Sequence, residues 1–383
     1  MNHQPATHAA HGTRVVSRYN YRAQFDDIGH VVSEMHDCLL EGRYVLSTDV
    51  TSFEEEFARY IGTRHALGVN SGTDALMLTL AALGIGPGDE VVTVANTFHA
   101  TVLPVVRLGA RPVLVDCGAS DYLMDPEQAR GAISDRTKAI VVVHLFGGVV
   151  QLQPYLDLVE RHGLHLVEDC CQAHGARWNG RRVGSVGTAG CFSFHPSKNL
   201  AAAGDCGMIT TDDDQLAWRL ARLRHLGQDR QNSHVALGWN TKLDALQAVV
   251  LRHKLPRLDE WNALRQRVAA RYHAGLDDLP VGFQILEEGS DHVYHLFQVR
   301  TAWRDSLLEH LRSAGVDAVV RYPTPVHRQP AFLDLGYGSG AFPNAEMQAD
   351  QTLCLPIRPD LGEDDIAYVC EAVRSFHRAN APR

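Results

Sequence analysis

One residue with the potential for covalent chemistry is a lysine in a loop that follows an apolar strand. Lys198 lies in CFSFHPSKNL, residues 191–200, where the run CFSFH is followed by a proline turn. Loss of water around such a lysine lowers the pKa of its amine and makes it a nucleophile toward carbonyl carbons. The alternative is a surface lysine in a polar loop, because most lysines are exposed.

Two further side chains follow apolar strands. Asp169 ends the run HLVED, and Phe98 follows EVVTV in the segment NTFHAT. In an open α/β sheet the carboxyl ends of parallel strands face the ligand crevice, so both residues are well placed to meet a ligand. An Asp at a strand end also serves as a turn or cap residue, and a Phe there also packs in a core.

A candidate anion site lies between the strand HALGV and the helix DALMLTLAALG. Its residues are Asn70, Ser71, Gly72 and Thr73. A glycine turn that opens a helix presents free backbone N–H groups and the positive end of the helix dipole, and the two hydroxyls add donors. An ordinary N-cap explains the same residues equally well.

Together these features fit one cofactor. Pyridoxal 5′-phosphate needs an anion site for its phosphate, a carboxylate for its ring nitrogen and an amine for its Schiff base. Its ring also needs an apolar face, which Phe98 can provide by stacking.

The elements that must position these residues alternate along the chain. Short apolar runs and helical segments alternate from about residue 64 to 211, which predicts an α/β domain with a mostly parallel sheet flanked by helices. The predicted strands of this region are 65–69, 90–94, 111–116, 139–146, 165–169, 190–195 and 207–211.

The rest of the chain predicts a smaller C-terminal α+β domain. A long amphipathic stretch runs from 243 to about 276, and Pro256 should kink it. Short strands are predicted at 281–286, 295–300 and 317–322, with helices at 305–315 and 363–376. We therefore expect a large cofactor-binding domain over 1–250, N-terminal segment included, and a small domain over 251–383.

Composition narrows the classes of function. The 383 residues carry 36 Lys+Arg and 45 Asp+Glu, a net charge of −9, which argues against a nucleic-acid partner or an anionic membrane surface but allows a local phosphate pocket. The eight cysteines contain no C-x-x-C, and the 21 histidines no H-E-x-x-H, so we expect no metal site. The first residues lack the pattern of a signal peptide, and no apolar run approaches the length of a membrane span, so we expect the reducing cytoplasm.

The motifs resemble those of the DegT/DnrJ/EryC1/StrS sugar aminotransferases, a family in the fold type I group of pyridoxal phosphate enzymes. The matching segments run nearly end to end and keep their order and spacing. They are GRYVLSTDVTSFEEEFARYIG, SGTDAL, GPGDEVVTVANTFHAT, VEDCCQAHGA, GCFSFHPSKNL, GWNTKLDALQA and RYPTPVHRQPAF.

The resemblance implies roles for individual residues. Lys198 matches the Schiff-base lysine, Asp169 the partner of the pyridine nitrogen, and Gln172 a residue beside the ring hydroxyl. The implied phosphate contacts are Ser71, Gly72, Thr73 and Ser193, and the implied stacking ring is Phe98. Asn240 matches an asparagine that reaches the phosphate in the partner subunit's site, which implies a homodimer with two shared active sites.

Some positions depart from the family pattern. Gly148 and Gln151 stand where many relatives carry Gln and Asp, Cys206 replaces a common glycine, and Lys242 stands where Arg is frequent. None of these changes removes a catalytic group. The retained lysine also separates this chain from the dehydratase branch, which has histidine there.

The implied reaction is a ping-pong transamination in which Lys198 forms the Schiff base and then acts as general base. The resemblance implies a nucleotide-linked keto sugar, most readily dTDP-linked, as acceptor and L-glutamate as donor. Amination at C3 is favoured slightly over C4, and cyclitol relatives share the motifs. Arg230 and Arg321 are candidates for the diphosphate; His295, Arg321, Tyr322 and His327 are candidates for the sugar side, although each histidine can equally be structural.

The sequence also bears on two functions of other classes. A nicotinamide-dependent oxidoreductase is disfavoured, because Gly84, Gly86 and Gly88 form G-x-G-x-G before a strand, whereas the dinucleotide motif opens a helix. A non-catalytic sugar-binding or regulatory relative would keep the fold, and the fold alone does not exclude it. Loss of Lys198 or Asp169 would mark such a relative, and both residues are present.

Overall fold

A seven-stranded sheet forms the centre of the molecule. The computed structural model describes residues 14–380, so the expectation about a signal sequence, which falls on the first residues, lies largely outside the described part. The strands are β1 (His65–Val69), β2 (Glu90–Val94), β3 (Arg111–Val115), β4 (Thr137–Val143), β5 (His165–Asp169), β6 (Arg177–Trp178), β7 (Arg181–Arg182), β8 (Ala189–Ser193), β9 (Gly207–Thr211), β10 (Gln228–Arg230), β11 (Ser233–His234), β12 (Phe297–Arg300) and β13 (Thr352–Leu355).

Helices cover the sheet and build the rest of the fold. The α-helices are α1 (Ile28–Leu40), α2 (Thr48–Ile61), α3 (Gly72–Ala82), α4 (His99–Arg107), α5 (Pro126–Ala132), α6 (Gln153–His162), α7 (Asp214–Leu223), α8 (Ala245–Lys254), α9 (Leu258–Leu276), α10 (Arg304–Ser313), α11 (Pro343–Gln351) and α12 (Glu363–Asn380). In the described range no helix is both long and apolar enough to cross a membrane.

The order of the sheet is β1-β9-β8-β5-β4-β2-β3. Every neighbouring pair is parallel except the two that involve β9, which runs antiparallel to β1 and β8. Alternate residues face opposite sides, so Ile140 and Val142 lie in one buried cluster and Ala139 and Val141 in another. Apolar side chains on both faces explain why these strands read as continuous apolar runs. All seven predicted strands of this sheet are confirmed, as is the α/β class.

The C-terminal region partly departs from its prediction. The strands predicted at 281–286 and 317–322 are wrong, because each contributes only one isolated bridge, Gly282 to Arg300 and Val319 to Cys354. The partner of β12 is instead β13, which sequence reasoning missed. Segment 281–286 leaves the sheet because Ile285 donates its N–H to the carbonyl of Ser120 in the large domain.

The division into a large domain over 1–250 and a small domain over 251–383 stays a prediction, because the largest hydrophobic cluster joins residues from both sides of that boundary, among them Leu258, Phe332 and Phe342. One cluster joins α9, β12, α10, β13 and α12, and it also contains Val16 from the N-terminal segment. A turn of 3-10 helix at Leu255–Arg257 separates α8 from α9, which confirms the break expected at Pro256.

A buried carboxylate fixes the carboxyl end of β5. Glu168 is fully buried; one of its oxygens accepts from the N–H groups of Val186 and Gly187, and the other from Gly184 and His144 Nε2. Cys170 lies close to this pair, but the carboxylate oxygens already have four donors, so we assign the group to structure rather than to a metal. Burial would raise the pKa of Glu168, but the hydrogen bonds from His144 and from backbone N–H groups outweigh burial and hold that pKa below its ordinary value.

Glu168→Gln should lower the free energy of unfolding by about 3 kcal/mol, because an amide NH2 would face two buried N–H donors. The contribution of a carboxylate with a lowered pKa is present above its unfolded value of about 4.3 and is lost as pH falls through the folded pKa, so the difference between wild type and variant should shrink in acid. Urea unfolding at pH 7 and pH 3.5 measures both effects. Glu160→Gln, at an exposed position of α6, is the control, and an equal loss in both variants would contradict the assignment.

Candidate active site

Strand pairing brings the predicted residues to one edge of the sheet. In the β5–β8 pair Asp169 lies opposite Cys191, and in the β8–β9 pair Ser193 lies opposite Gly207. Gly207 in turn lies opposite Val69, the last residue of β1 before the predicted anion site. The ends of β5, β8 and β1 therefore lie at the same edge of the sheet, and with them Asp169, Ser193 and the start of α3.

The predicted anion site is a helix N-terminus packed tightly against β8. Ser71 caps α3: its Oγ accepts from the N–H of Asp74 at 3.0 Å and donates to that carboxylate at 2.6 Å. A Cβ on Gly72 would lie 2.7 Å from Cβ of Ser193 and 2.8 Å from Sγ of Cys171. Only glycine fits this contact, and it brings the first N–H groups of α3 beside the Ser193 side chain.

Asp169 is buried and held by two donors. Its Oδ2 accepts from Oγ1 of Thr101 at 2.8 Å, and its Oδ1 accepts from the N–H of Cys171 at 3.1 Å. Thr97 extends the chain, with 2.8 Å between its hydroxyl and that of Thr101. These contacts orient a carboxylate that is 5% exposed at the end of β5.

Gln172 links the large domain to the segment that carries Tyr322. Its Oε1 accepts from the N–H of Phe146, and its Nε2 donates to the Tyr322 hydroxyl, each at 2.8 Å. The rings of Tyr322 and Phe98 lie 5.9 Å apart between centroids, and the ring of Phe98 remains partly exposed. An aromatic surface that can receive a planar ring therefore stands near Gln172.

Lys198 lies in a tight loop and is partly buried. The backbone N–H of Lys198 donates to the carbonyl of His195, and the N–H of Ala202 donates to the carbonyl of Phe194. Hydrogen bonds therefore close the loop on both sides of the lysine. Burial lowers the pKa of Lys198; Cys171 and Asp169 oppose this shift, and Arg321 adds to it. The interaction with Asp169 places the amine and the carboxylate in one electrostatic environment.

Three substrate-side candidates have different partners in the structure. His295 interacts electrostatically with Lys198 and Arg321, and burial holds its pKa well below the ordinary value, so it is neutral. Arg321 donates to the Tyr19 hydroxyl at 3.2 Å. His327 is fully buried and pairs with Glu346 at 2.9 Å, so its Nε2 is already engaged.

Two predicted residues lie on the surface of this chain. Asn240 is exposed, and its side-chain oxygen accepts from Nζ of Lys242. The neighbouring Thr241 carbonyl accepts from the N–H of Asn70, so the segment runs alongside the anion site. Arg230 is exposed in β10. The action of Asn240 in a partner subunit stays a prediction.

Sequence reasoning missed Thr101 and His174. Thr101 is one turn into α4, and its hydroxyl meets a carboxylate 68 positions further along the chain. His174 is fully buried and its Nε2 donates to the carbonyl of Ser193, which fixes the end of β8. Thr97 precedes the N-cap of α4 and Thr101 lies in the first turn of that helix, so the segment NTFHAT carries no helix-face pattern that would have paired them.

The described residues fit pyridoxal 5′-phosphate. At Gly72 the N-terminus of α3 packs so closely on β8 that no side chain fits there. Ser193 adds a hydroxyl beside this helix N-terminus. An oriented carboxylate, an amine with a lowered pKa and a partly exposed aromatic ring complete the donor set that this cofactor needs.

Comparison with known proteins identifies the class. The pattern of the DegT/DnrJ/EryC1/StrS aminotransferase family matches residues 27–374, so the chain belongs to this family. It is an aminotransferase that depends on pyridoxal 5′-phosphate.

Individual relatives agree with this class. The chain is 46% identical over 336 residues to the dTDP-3-amino-3,4,6-trideoxy-alpha-D-glucose transaminase of Streptomyces venezuelae, covering 88% of this chain and 89% of that one. It is 40% identical over 352 residues to a pleiotropic regulatory protein of Geobacillus stearothermophilus, covering 91% and 94%. The crystal structure of S. venezuelae DesV in complex with a ketimine intermediate superposes with a TM-score of 0.91 at 43% identity, covering 95% and 98% of the two chains. The expected fold type I architecture is confirmed.

Gly72→Ala should weaken cofactor binding by about 10-fold or more, because the added Cβ must push α3 away from β8 and overpacking of this kind costs about 1–3 kcal/mol. Titration of the apoprotein with pyridoxal 5′-phosphate, followed by absorbance, measures the affinity. Gly131→Ala is the control, since a Cβ there meets nothing within 4 Å. Equal affinity in wild type and Gly72→Ala would contradict the role of this contact.

Thr101→Val should lower kcat/KM by about 10-fold or more, because a hydrogen bond to a charged group contributes about 1.5–3 kcal/mol and the Asp169 carboxylate loses one of its two donors. Steady-state kinetics and the visible spectrum of the loaded enzyme report the change. Thr101→Ser keeps the hydroxyl and should restore most of the activity. A Ser variant as impaired as Val would indicate packing rather than the hydrogen bond.

Proposed function

We propose that this enzyme transfers the amino group of L-glutamate to a nucleotide-linked keto-deoxyhexose, most readily a dTDP sugar, with amination at C3. The observation that carries the proposal is the buried Asp169 carboxylate, held by Thr101 and Cys171 at the sheet edge, whose charge acts on the Lys198 amine of the neighbouring loop. Support for the substrate comes from the S. venezuelae relative, whose name specifies a dTDP-3-amino sugar. Such a reaction belongs to amino-sugar biosynthesis for antibiotics or polysaccharides.

The chain's own groups divide the work of the reaction. When bound, the cofactor supplies an electron-accepting ring and an aldehyde carbon for the amino group. Burial lowers the pKa of the Lys198 amine, which favours the neutral form that would attack a carbonyl carbon and then carry a proton. Asp169 supplies a fixed negative charge that keeps a proton on a ring nitrogen placed against it.

The cofactor contacts that we propose are those assembled at the sheet edge. Gln172 and Phe98 contact the ring, and Ser71, Gly72, Thr73 and Ser193 surround the phosphate. On the sugar side we propose His295, Arg321 and Tyr322, which stand around Lys198 and Gln172. His327 acts on the sugar only through the segment it anchors, because its Nε2 is bound to Glu346.

A homodimer with shared active sites is part of the proposal. An apolar patch on α1 and the loop after it is exposed although its residues are large and hydrophobic. Its members include Ile28 at 53%, Val32 at 56%, Leu39 at 50% and Leu40 at 75% exposure. Several large apolar side chains exposed on one helix support a protein interface. The exposed Asn240, beside the strand that leads into the anion site, supports its reach into the partner's site.

The compartment that we propose is the cytoplasm. All eight cysteines are free thiols, which supports a reducing environment. The proposed substrates, a nucleotide sugar and L-glutamate, are polar small molecules that need no membrane partner.

A regulatory role is the second candidate, because the G. stearothermophilus relative carries a regulatory name. Lys198 and Asp169 favour the enzyme, since a binding protein needs neither a desolvated amine nor an oriented carboxylate. Within the enzyme class, a C4 keto sugar or a cyclitol is the alternative acceptor.

Lys198→Ala should reduce turnover by about 10³-fold or more, because the nucleophile and the general base are removed together and acid–base catalysis alone contributes about 10²–10⁴-fold. The visible band of the loaded enzyme, followed after addition of L-glutamate, is the measurement: wild type bleaches and the variant does not. Lys138→Ala, at an exposed position of β4, should behave as wild type.

The identity of the amino acceptor is tested with the wild-type enzyme after L-glutamate has converted its cofactor to the aminated form. A dTDP-3-keto hexose should restore the visible band, and a dTDP-4-keto hexose should do so more slowly. Faster recovery with the 4-keto sugar would move the reaction to C4, and recovery only with an inosose would replace the sugar nucleotide by a cyclitol. If L-glutamate does not bleach the visible band, the proposal that L-glutamate is the amino donor is wrong.

A further inference from the structure

A buried amide side chain ties the loop of Lys198 to helix α9. Asn199 is 5% exposed, and its Nδ2 donates to Oδ1 of Asn262 on α9 and to the carbonyl of Val293, each at 2.9 Å. Nδ2 of Asn262 donates in turn to the carbonyl of His174 at 2.8 Å. We call Asn199 and Asn262, with these three hydrogen bonds, the amide bridge.

The donors and acceptors of the amide bridge allow one arrangement of the two side chains. The carbonyls of Val293 and His174 can only accept, so each must face the NH2 group of an asparagine. Asn262 therefore presents its Oδ1 to Asn199. Both asparagines are buried, where an amide that lost its partners would be costly. Truncation of either side chain breaks the link between α9 and the loop.

The amide bridge closes a ring of hydrogen bonds around the two segments that carry Asp169 and Lys198. His174 lies five residues after Asp169. Its Nε2 donates to the carbonyl of Ser193 at 2.8 Å, and its own carbonyl is the acceptor at the end of the amide bridge. From Ser193 the chain runs through Lys198 back to the bridge. The segment after Asp169 is therefore tied to the chain both before and after the lysine.

Other contacts of the loop do not make this link. The backbone N–H of Lys198 donates to the carbonyl of His195, which lies within the loop itself. Nζ of Lys254, at the end of α8, donates to the carbonyl of Ala201 at 2.8 Å. These contacts shape the loop and hold its later part. The amide bridge is what connects it, beyond the end of β8, to the segment that follows Asp169.

Helix α9 can serve as this support because a glycine lets it come close. Gly175 has φ +81°, and a Cβ there would lie 3.0 Å from Nδ2 of Asn262 and 2.3 Å from the hydroxyl oxygen of Tyr60. That hydroxyl donates to Oδ1 of Asp259 in the first turn of α9 at 2.5 Å. The start of α9 is therefore fixed against the same segment to which the amide bridge is anchored.

We propose that Asn262 is a positioning residue for the transamination: through Asn199 it fixes the separation between the Lys198 amine and the Asp169 carboxylate. This inference rests on the proposed function, because it takes these two groups as the nucleophile and the partner of the ring nitrogen. Two groups that act on one planar ring must keep a fixed separation, and a displacement of about 1 Å can cost about 100-fold in rate.

The first test follows the bleaching of the visible band by L-glutamate in the cofactor-loaded enzyme. Asn262→Ala should lower the saturating rate by about 10-fold or more, because the amine is no longer held in place. The half-saturating L-glutamate concentration should stay within about 2-fold of wild type, since the bridge does not bind the donor. Asn199→Ala should give the same result. The double variant should be no slower than the slower single variant, because both substitutions break one link.

Gln266→Ala is the matched control. Gln266 is exposed one turn further along α9, and its Nε2 donates to the carbonyl of His292 at 3.1 Å. Its loss should change neither constant. An unchanged rate in Asn262→Ala would overturn the inference. So would a higher half-saturating concentration at an unchanged rate, or rate losses that multiply in the double variant.

Hydrogen exchange of the loaded enzyme, read by mass spectrometry, gives a second test that needs no catalysis. Residues 196–203 should exchange slowly in wild type and in Gln266→Ala, and about 10-fold faster in Asn262→Ala, because the loop opens locally once the bridge is lost. Fast exchange of this loop in wild type would overturn the inference, whether or not the variants fold.

A failure of the proposed function gives a different result. A wild type whose band is not bleached by L-glutamate would refute the donor, and a cofactor attached to another lysine would refute the role of Lys198. In either case slow exchange of residues 196–203 in wild type, with fast exchange in Asn262→Ala, would still establish the amide bridge as the contact that holds the loop.

Discussion

The pairing of β5 with β8 is the constraint on which the site depends. It places Asp169 opposite Cys191, which lies two residues before Ser193 and seven before Lys198, so one register fixes the carboxylate, the proposed phosphate contact and the loop of the lysine. Glu168 holds this register from inside the sheet by accepting three backbone N–H groups from residues 184–187. The structural carboxylate and the functional one are adjacent in sequence and face opposite sides of β5, as neighbouring residues of a strand must.

Close backbone contacts complete the arrangement. Gly72 and Gly207 are the two glycines that permit it, since a Cβ on Gly207 would lie 2.5 Å from the carbonyl of Ser71. The start of α3 can therefore touch β8 and β9. Backbone N–H groups at a helix N-terminus can hold an anion locally, so a net charge of −9 does not conflict with the phosphate site that we propose.

The sequence predicts the large domain well because its strands are short, apolar and buried on both faces. Such strands can be recognised in the sequence without knowing which strands they pair with. The small domain is different. Segment 317–322 has the composition of a strand, yet only Val319 makes a bridge, while β13 becomes the partner of β12. The choice between such segments depends on tertiary pairing, which local pattern does not encode.

The site shows the same division. Lys198, Asp169 and Gly72 follow strands, and these positions made them candidates in the sequence. Thr101 and His174 were missed, because each acts through a contact with a group elsewhere in the chain. A threonine at the start of a helix and a histidine in a loop carry no local sign of such partners, and only the packed structure reveals them.

The central claim is that Lys198 is the residue to which the cofactor becomes covalently attached. Reduction of the loaded protein with borohydride, followed by proteolysis and mass spectrometry, tests it directly. The account predicts a single pyridoxyl group on the peptide that contains Lys198. A label on Lys138, Lys242 or Lys254, or no stable label in a protein that has bound the cofactor, would contradict it.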